Sequence, residues 1–488
     1  MMTNVCHRQR VSVFSFLCIR DHQTLWLSYC FVESEKAVFL KQALLPISSL
    51  FISIAFLATG YGMLMTYIGL YLKQAGLSEM AIGIINSAFF LGALLAAVFS
   101  QKLIVTVGHA RSFSAFSALM VMAFLGHTLH YDPWLWAGLR LLSGFAFYAL
   151  LIVLESWLNE KSSSDDRGRV LAVYTVVFFM ATAIGQLILS LDVASHVVFV
   201  LGSVLVLASL FLVAITRISQ PVLTPFERYS LPRVLQIAPL ALVGSVIGGF
   251  FVGGFYTMVP VFVLNTYGQQ SVVATFMAIS ILGGLLAQWP VGTFSDRYGR
   301  RKLLAWAGLF SAAICLLLAL LAAQTWLFYL LGFLLGTSLF SIYPLSVARA
   351  NDRLDHGKDL VEVSRSLLFS YGIGSFLAPL LLGAVLGLSG GLFFTVLAVA
   401  ALILGGYALT AERIANENLS VYVAVPAASG ASLAQLDPRQ DDEWVEDHKP
   451  AYPVATDSMP RTDPTITDIA EAAGTAPDAA PPERHNND

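Results

Sequence analysis

Charge is what this chain of 488 residues has least of: Asp, Glu, Lys and Arg make up only 12% of it, against 57% hydrophobic residues and a mean hydropathy of +0.73. A water-soluble domain carries about a quarter charged residues, so that class is excluded. Cysteine is scarce as well. Cys6, Cys18 and Cys30 fall in the first thirty residues, only Cys315 lies in the apolar body, and no disulfide framework or metal spacing emerges. A G-x-x-x-x-G-K-[ST] phosphate loop is missing, which argues against an ATP-driven pump. So are a nucleophile elbow, H-E-x-x-H and C-x-x-C, which leaves an enzyme no residues to work with. No metal and no cofactor is expected.

What the chain does have is apolar runs of about twenty residues, the length that crosses a hydrocarbon core. They fall at 43–72, 79–103, 112–131, 134–158, 169–190, 196–216, 236–264, 272–294, 303–323, 325–349, 366–388 and 391–411. The runs are continuous rather than alternating, so they read as helices and not as barrel strands. The expected fold class is an all-α membrane protein with twelve transmembrane helices. Connectors on one face hold Arg111, Lys161, Arg167, Arg217, Arg228, Arg233, Arg297, Arg300, Arg301, Lys302, Arg353 and Lys358, while those on the other hold only Lys73. Basic connectors stay in the cytoplasm, which puts both termini there.

The flanks differ from the body. Residues 412–488 carry fifteen acids against five bases; this acidic, Pro- and Ala-rich cytoplasmic tail lacks the apolar content to fold and reads as disordered. Residues 1–42 form an extension with neither a signal-peptide core nor a spanning length. It reads as a start-site artefact, with synthesis beginning near Val38; an amphipathic anchor is the alternative.

The body repeats itself. LGALLA (91–96) returns as LGGLLA (282–287), and in the same register Gly108 meets Gly299 and Arg111 meets Lys302. Two six-helix bundles follow, 43–216 and 236–411, joined by a polar cytoplasmic linker at 217–235. The second bundle holds the run GTFSDRYGRRK (292–302), with Asp296 and four bases, Arg297, Arg300, Arg301 and Lys302, between two long apolar stretches. A hydrocarbon core does not tolerate such a cluster, so it sits at a membrane face. The first copy, SQKLIVTVGHAR (100–111), is eroded: Val105 takes the place of the acid and Thr106 that of the following Arg.

The pattern G-x-x-x-D-R-x-G-R-R-K resembles the signature loop of the major facilitator superfamily of carriers, whose architecture is a parallel repeat about an axis normal to the membrane. ESWL (155–158), DDRGRVLAVYTVVFFMATAIGQ (165–186), AQWPVGTFSDRYGR (287–300) and IYPLSVARANDRLDHGKDLVEVSRSLLFSYGIGSFLAP (342–379) look like its bacterial YcaD-type branch. The resemblance implies a monomeric carrier in the lipid bilayer of the bacterial cytoplasmic (inner) membrane. It would hold a small-molecule substrate between its halves and have no nucleic-acid partner. Arg140 and Gly144 in LWAGLRLLSGF resemble the R-x-x-x-G signature of proton-coupled facilitators, although Ser143 stands where Gln is usual. TAIGQLIL (182–189) lacks the G-P signature of drug–proton antiporters, which counts against a standard multidrug antiporter.

The gating candidates are Gly292, Asp296, Arg297, Gly299, Arg300 and Arg301, with Arg167 and Arg169 at the start of the fifth span. Asp296 paired with Arg167 or Arg169 would latch the cytoplasmic ends of the halves in the outward-open state; the plainer alternative is a pair within one half. Arg140 lies about six residues inside the fourth span, where an unpaired cation is costly. It reads as a substrate-anion site, as a group tuning a proton-carrying carboxylate, or as a snorkelling interfacial Arg. Glu155 is fifteen residues further on, about 22 Å along a helix, and reads as the proton carrier or as a structural partner of an inner-mouth Arg. Tyr61, Asn86, Gln186, Tyr256 and Tyr343 complete the candidate substrate or proton pathway. Many aromatics with few charges suit a neutral or amphipathic organic solute. The reading is a secondary active transporter, proton-coupled and directed towards export. Uptake of a sugar-like or organic-acid nutrient and a non-transporting sensor on the same fold are the alternatives.

Overall fold

Pro260 and two glycine corners set the largest departures from the expected spans. The structure, a computed structural model, describes residues 47–130, 132–162, 166–191, 193–216, 235, 237–321, 325–353 and 359–411. The extension 1–42, nearly all of the linker 217–235 and the tail 412–488 lie outside the described residues. Within them the chain is helical throughout: α1 (Ser48–Gln74), α2 (Glu79–Val107), α3 (His109–Gly126), α4 (Pro133–Lys161), α5 (Arg167–Ile188), α6 (Ser195–Ile215), α7 (Pro239–Thr257), α8 (Val259–Tyr267), α9 (Gln270–Tyr298), α10 (Arg300–Leu321), α11 (Thr325–Asn351), α12 (Asp359–Leu388) and α13 (Gly390–Thr410).

Eleven of these helices are long and apolar enough to cross a membrane, among the described residues. The expected span at 112–131 is represented by α3, eighteen residues that open on the polar His109, Arg111, Ser112 and Ser114. The expected span at 236–264 is broken at Met258. Pro260, in the first turn of α8, has no N–H and its ring crowds the carbonyl four residues back. Hydrogen bonds continue on either side, from Met258 N to Gly254 O and from Phe262 N to Met258 O, both 2.9 Å. Starts are capped where the sequence allows. The Ser78 hydroxyl accepts from Ala81 N, and the Asp132 carboxylate accepts from Leu135 N at 2.8 Å with Pro133 opening α4.

The charged run at 292–302 is mostly helix end rather than loop. α9 continues through Asp296 and Arg297 to Tyr298, Gly299 alone makes the corner, and α10 begins at Arg300. Gly299 sits at φ 87°, ψ 143°, and Gly108 makes the matching corner at φ 93°, ψ 157°. Only glycine occupies that region without strain.

Helices α1 to α6 pack mainly on one another, through α2 with α4 and α1 with α5 and α6. Helices α7 to α13 do the same, through α12 with α7, α9 with α11 and α10 with α13. The two groups meet along two seams, α2 against α12 and α5 against α9. The first seam is tight because Gly83 carries no side chain; a methyl there would collide with the Pro379 carbonyl oxygen.

Candidate functional site

Between the two groups of helices lies a buried aromatic core. Tyr61 on α1 stacks on Phe147 of α4 at 4.0 Å and 5°, and faces Tyr256 of α7 at 5.6 Å. Phe179 on α5 meets Phe340 on α11 at 5.2 Å, so the core bridges the halves. A crevice between Phe90, Leu94, Tyr148, Tyr371 and Gly372 holds room for about one water molecule.

Arg140 enters this core from α4 with 1% of its surface exposed. Its two terminal nitrogens lie 3.4 Å from the Met65 sulfur, a weak acceptor, and its guanidinium covers the Phe89 ring at 4.6 Å. Its Nε has no partner. Snorkelling is therefore not what this side chain does. Glu155, at the other end of α4, is equally buried and accepts a hydrogen bond from the Tyr174 hydroxyl at 2.7 Å.

The remaining pathway candidates separate. Gln186 donates to the Gly62 carbonyl at 2.6 Å, which ties α5 to α1. Asn86 is fully buried with neither amide atom partnered. Tyr343 packs on Tyr371 at 4.6 Å, and both hydroxyls are unpartnered. Thr257 and Ser341 return their hydroxyls to carbonyls of their own helices, Gly253 and Thr337. His127 stacks on Phe199 and donates to Ala123 O at 2.6 Å.

At the signature corner, Asp296 forms its ion pair with Arg300, on the far side of Gly299. The Arg300 side chain is fully buried, donates to Ser295 Oγ and lies 3.8 Å from the equally buried Asp352 carboxylate. Arg301 donates to the carbonyls of Leu409 and Ala411 at 3.2 and 2.6 Å, closing the end of α13. Arg297 lies over the Tyr298 ring at 5.6 Å, and Gly292 is buried within α9. Arg169 is 3.7 Å from Asp166 at the start of its own helix, and Arg167 opens that helix. In this conformation Asp296 is thus engaged within its own half rather than with Arg167 or Arg169. Asp352, Tyr174, Met65 and Phe89 are missing from the sequence candidates. Asp352 follows Arg349 three residues on, and that acid beside a base at a helix end was the available signal.

The opposite end of the bundle is stitched across the seams. Glu79 of α2 receives Lys73 Nζ at 2.5 Å and, from α8 in the other group, Asn265 Nδ2 at 3.2 Å. Gln270 at the start of α9 donates to the Leu189 carbonyl beyond α5 at 2.8 Å. A buried core between two groups of helices, with polar ties across both seams at one end, is a construction that suits a membrane carrier.

The comparisons agree. A family model described as Major Facilitator Superfamily matches residues 50–361, and the chain belongs to that family. It is similar to the uncharacterized MFS-type transporter YcaD of Salmonella arizonae, 29% identical over 341 residues that cover 68% of this chain and 87% of that one. The same transporter from Salmonella typhimurium matches to the same extent. Among solved structures, a mutant of the nucleoside transporter NupG superposes with a TM-score of 0.63 at 14% identity, covering 75% of this chain and 99% of that one. At that identity the likeness is one of fold. The protein is a multi-pass transporter of the bacterial inner membrane that moves a small solute by alternating access, and it is not an enzyme.

Proposed function

We propose a monomeric, proton-coupled exporter of small amphipathic organic solutes, built of twelve spans in two six-helix repeats with both termini in the cytoplasm. The observation that carries this reading is the asymmetry of the seams. Glu79–Asn265 and Gln270–Leu189 join the halves at one end, while the signature corner at the other holds Asp296 to Arg300. The basic connectors make the signature end cytoplasmic. The conformer is then closed outside, with its cytoplasmic clasp undone. Opening outward releases the outer ties and lets Asp296 reach Arg167 or Arg169 at the head of α5, a charge pair between two rocking bodies.

Two repeats are supported by matching glycine corners at Gly108 and Gly299 and by matching close approaches. A methyl at Gly144 would strike the Phe89 carbonyl, and one at Gly336 the Ser280 carbonyl. Export follows from the lining. Amphipathic compounds enter through lipid unaided, so a carrier for them works against their gradient. Glu155, buried beside Tyr174, is the group we assign to the proton.

Proteoliposome flux of a solute found by thermal-shift screening, with and without a pH gradient, tests this. Glu155→Gln should abolish gradient-driven flux by more than about tenfold while leaving solute binding intact. Uphill transport of undiminished rate in that variant would remove Glu155 from the proton path, and saturable flux indifferent to the gradient would remove the coupling.

A further inference from the structure

We infer that Arg140 is the anchor for an anionic group on the transported solute, which makes the substrate class small organic acids with an apolar or aromatic body. This deepens the carrier reading and rests on it. The guanidinium is held by a sulfur and a ring face, with no carboxylate and with Nε unpartnered. A buried cation without a counter-charge pays several kcal/mol of desolvation. A fold keeps such a group where an anion arrives to complete it.

One more unpartnered polar side chain lies on a neighbouring helix. Asn86 precedes Phe89 by three residues on α2, so it lies on the same face. Asn86 Nδ2 is 3.7 Å from where a side chain at Gly69 would begin, and Gly69 is one turn beyond Met65. A guanidinium from α4 and an amide from α2, neither with a charged partner, match the acceptor-only oxygens of a carboxylate or sulfonate. The other half closes over the same spot, since the Thr257 carbonyl of α7 is 3.1 Å from that Gly69 position. Beside the donors runs the wall of Phe89, Tyr61 and Phe147, with no acid of its own, which suits a flat apolar body. The sequence left Arg140 open between this role, tuning of a proton-carrying carboxylate and snorkelling at the interface, the last removed by its burial. The missing counter-charge favours the anion.

Purified full-length protein is screened by thermal shift against benzoate, naphthalene-1-carboxylate, naphthalene-1-sulfonate and indole-3-acetate, each beside its uncharged amide. The acids should raise the unfolding temperature and the amides should not. Arg140→Gln should weaken the acid affinity roughly 10- to 150-fold, the worth of a charged hydrogen bond, and Arg140→Lys should recover part of it. Unliganded Arg140→Gln should unfold no earlier than wild type, because no ion pair is lost; Asn86→Ala, which keeps the cation, should weaken acid binding about fivefold, less than a neutral hydrogen bond's upper worth.

Amides binding as well as acids, no acid binding at all, or an acid response that survives Arg140→Gln would each overturn the inference. The carrier reading is scored separately, by thiol labelling from outside, in membrane vesicles, of Thr257→Cys, a position fully buried in this conformer. Labelling that comes and goes with the imposed gradient keeps the carrier even if every acid fails. A site that never becomes reachable sinks both.

Discussion

The two glycine corners carry the same backbone and different chemistry. Gly108 and Gly299 differ by only a few degrees in φ and about fifteen in ψ. At the first, the buried His109 ring shares a hydrogen bond with Ser156 Oγ at 3.1 Å and packs near Trp157. At the second, Arg300 in the same register is buried between Asp296 and Asp352. A glycine suffices to turn the chain. The turn itself therefore does not require the charges, and the clasp proposed above is one use for them.

Substitutions at the two corners test that contrast. The largest effect is expected at Arg300. Arg300→Met removes the guanidinium buried beside the Asp352 carboxylate and should cost about 3–5 kcal/mol, whereas His109→Met, which loses one neutral hydrogen bond, should cost about 1 kcal/mol. Unfolding of both variants in the same detergent measures the gap, and equal losses would mean that the buried charge adds no more to the corner's stability than the His109 hydrogen bond does. Asp296→Asn comes next. Its carboxylate is half exposed, so stability should change by less than about 1 kcal/mol. Transport should fall about tenfold if the clasp contributes about 1.4 kcal/mol to the outward-open state; wild-type flux would refute it. The smallest effect is expected at the eroded corner. Val105 is exposed, so Val105→Asp should fold normally and change flux less than about twofold, roughly 0.4 kcal/mol, because His109 offers no guanidinium for it to grip.

How much of this was legible in the sequence depends on range. Apolar runs mark where helices cross, because hydrophobicity acts locally along the chain. The break at Met258 hides inside an unbroken apolar stretch, where only Pro260 marks it. The serine-rich start of α3 hides a helix by the opposite route, lowering its apolarity without ending it. At the site, Arg140 and Glu155 stood out as charges in apolar surroundings. Their companions did not, since Met65, Phe89 and Tyr174 look like ordinary core residues until folding brings them together. Asp352 lies fifty-two positions from Arg300, and no spacing rule connects them.

The joint at Met258 bears on how the end away from the signature corner opens. The nine residues of α8 form a rod about 13 Å long, and Asn265 near its tip supplies one of the stitches to the opposite half. A short lever swinging from its own pivot can undo that stitch while α7 keeps Tyr256 against Tyr61. Unsealing the mouth and disturbing the floor of the site then become separable movements, so that a solute can meet an open doorway before the aromatic floor beneath it shifts.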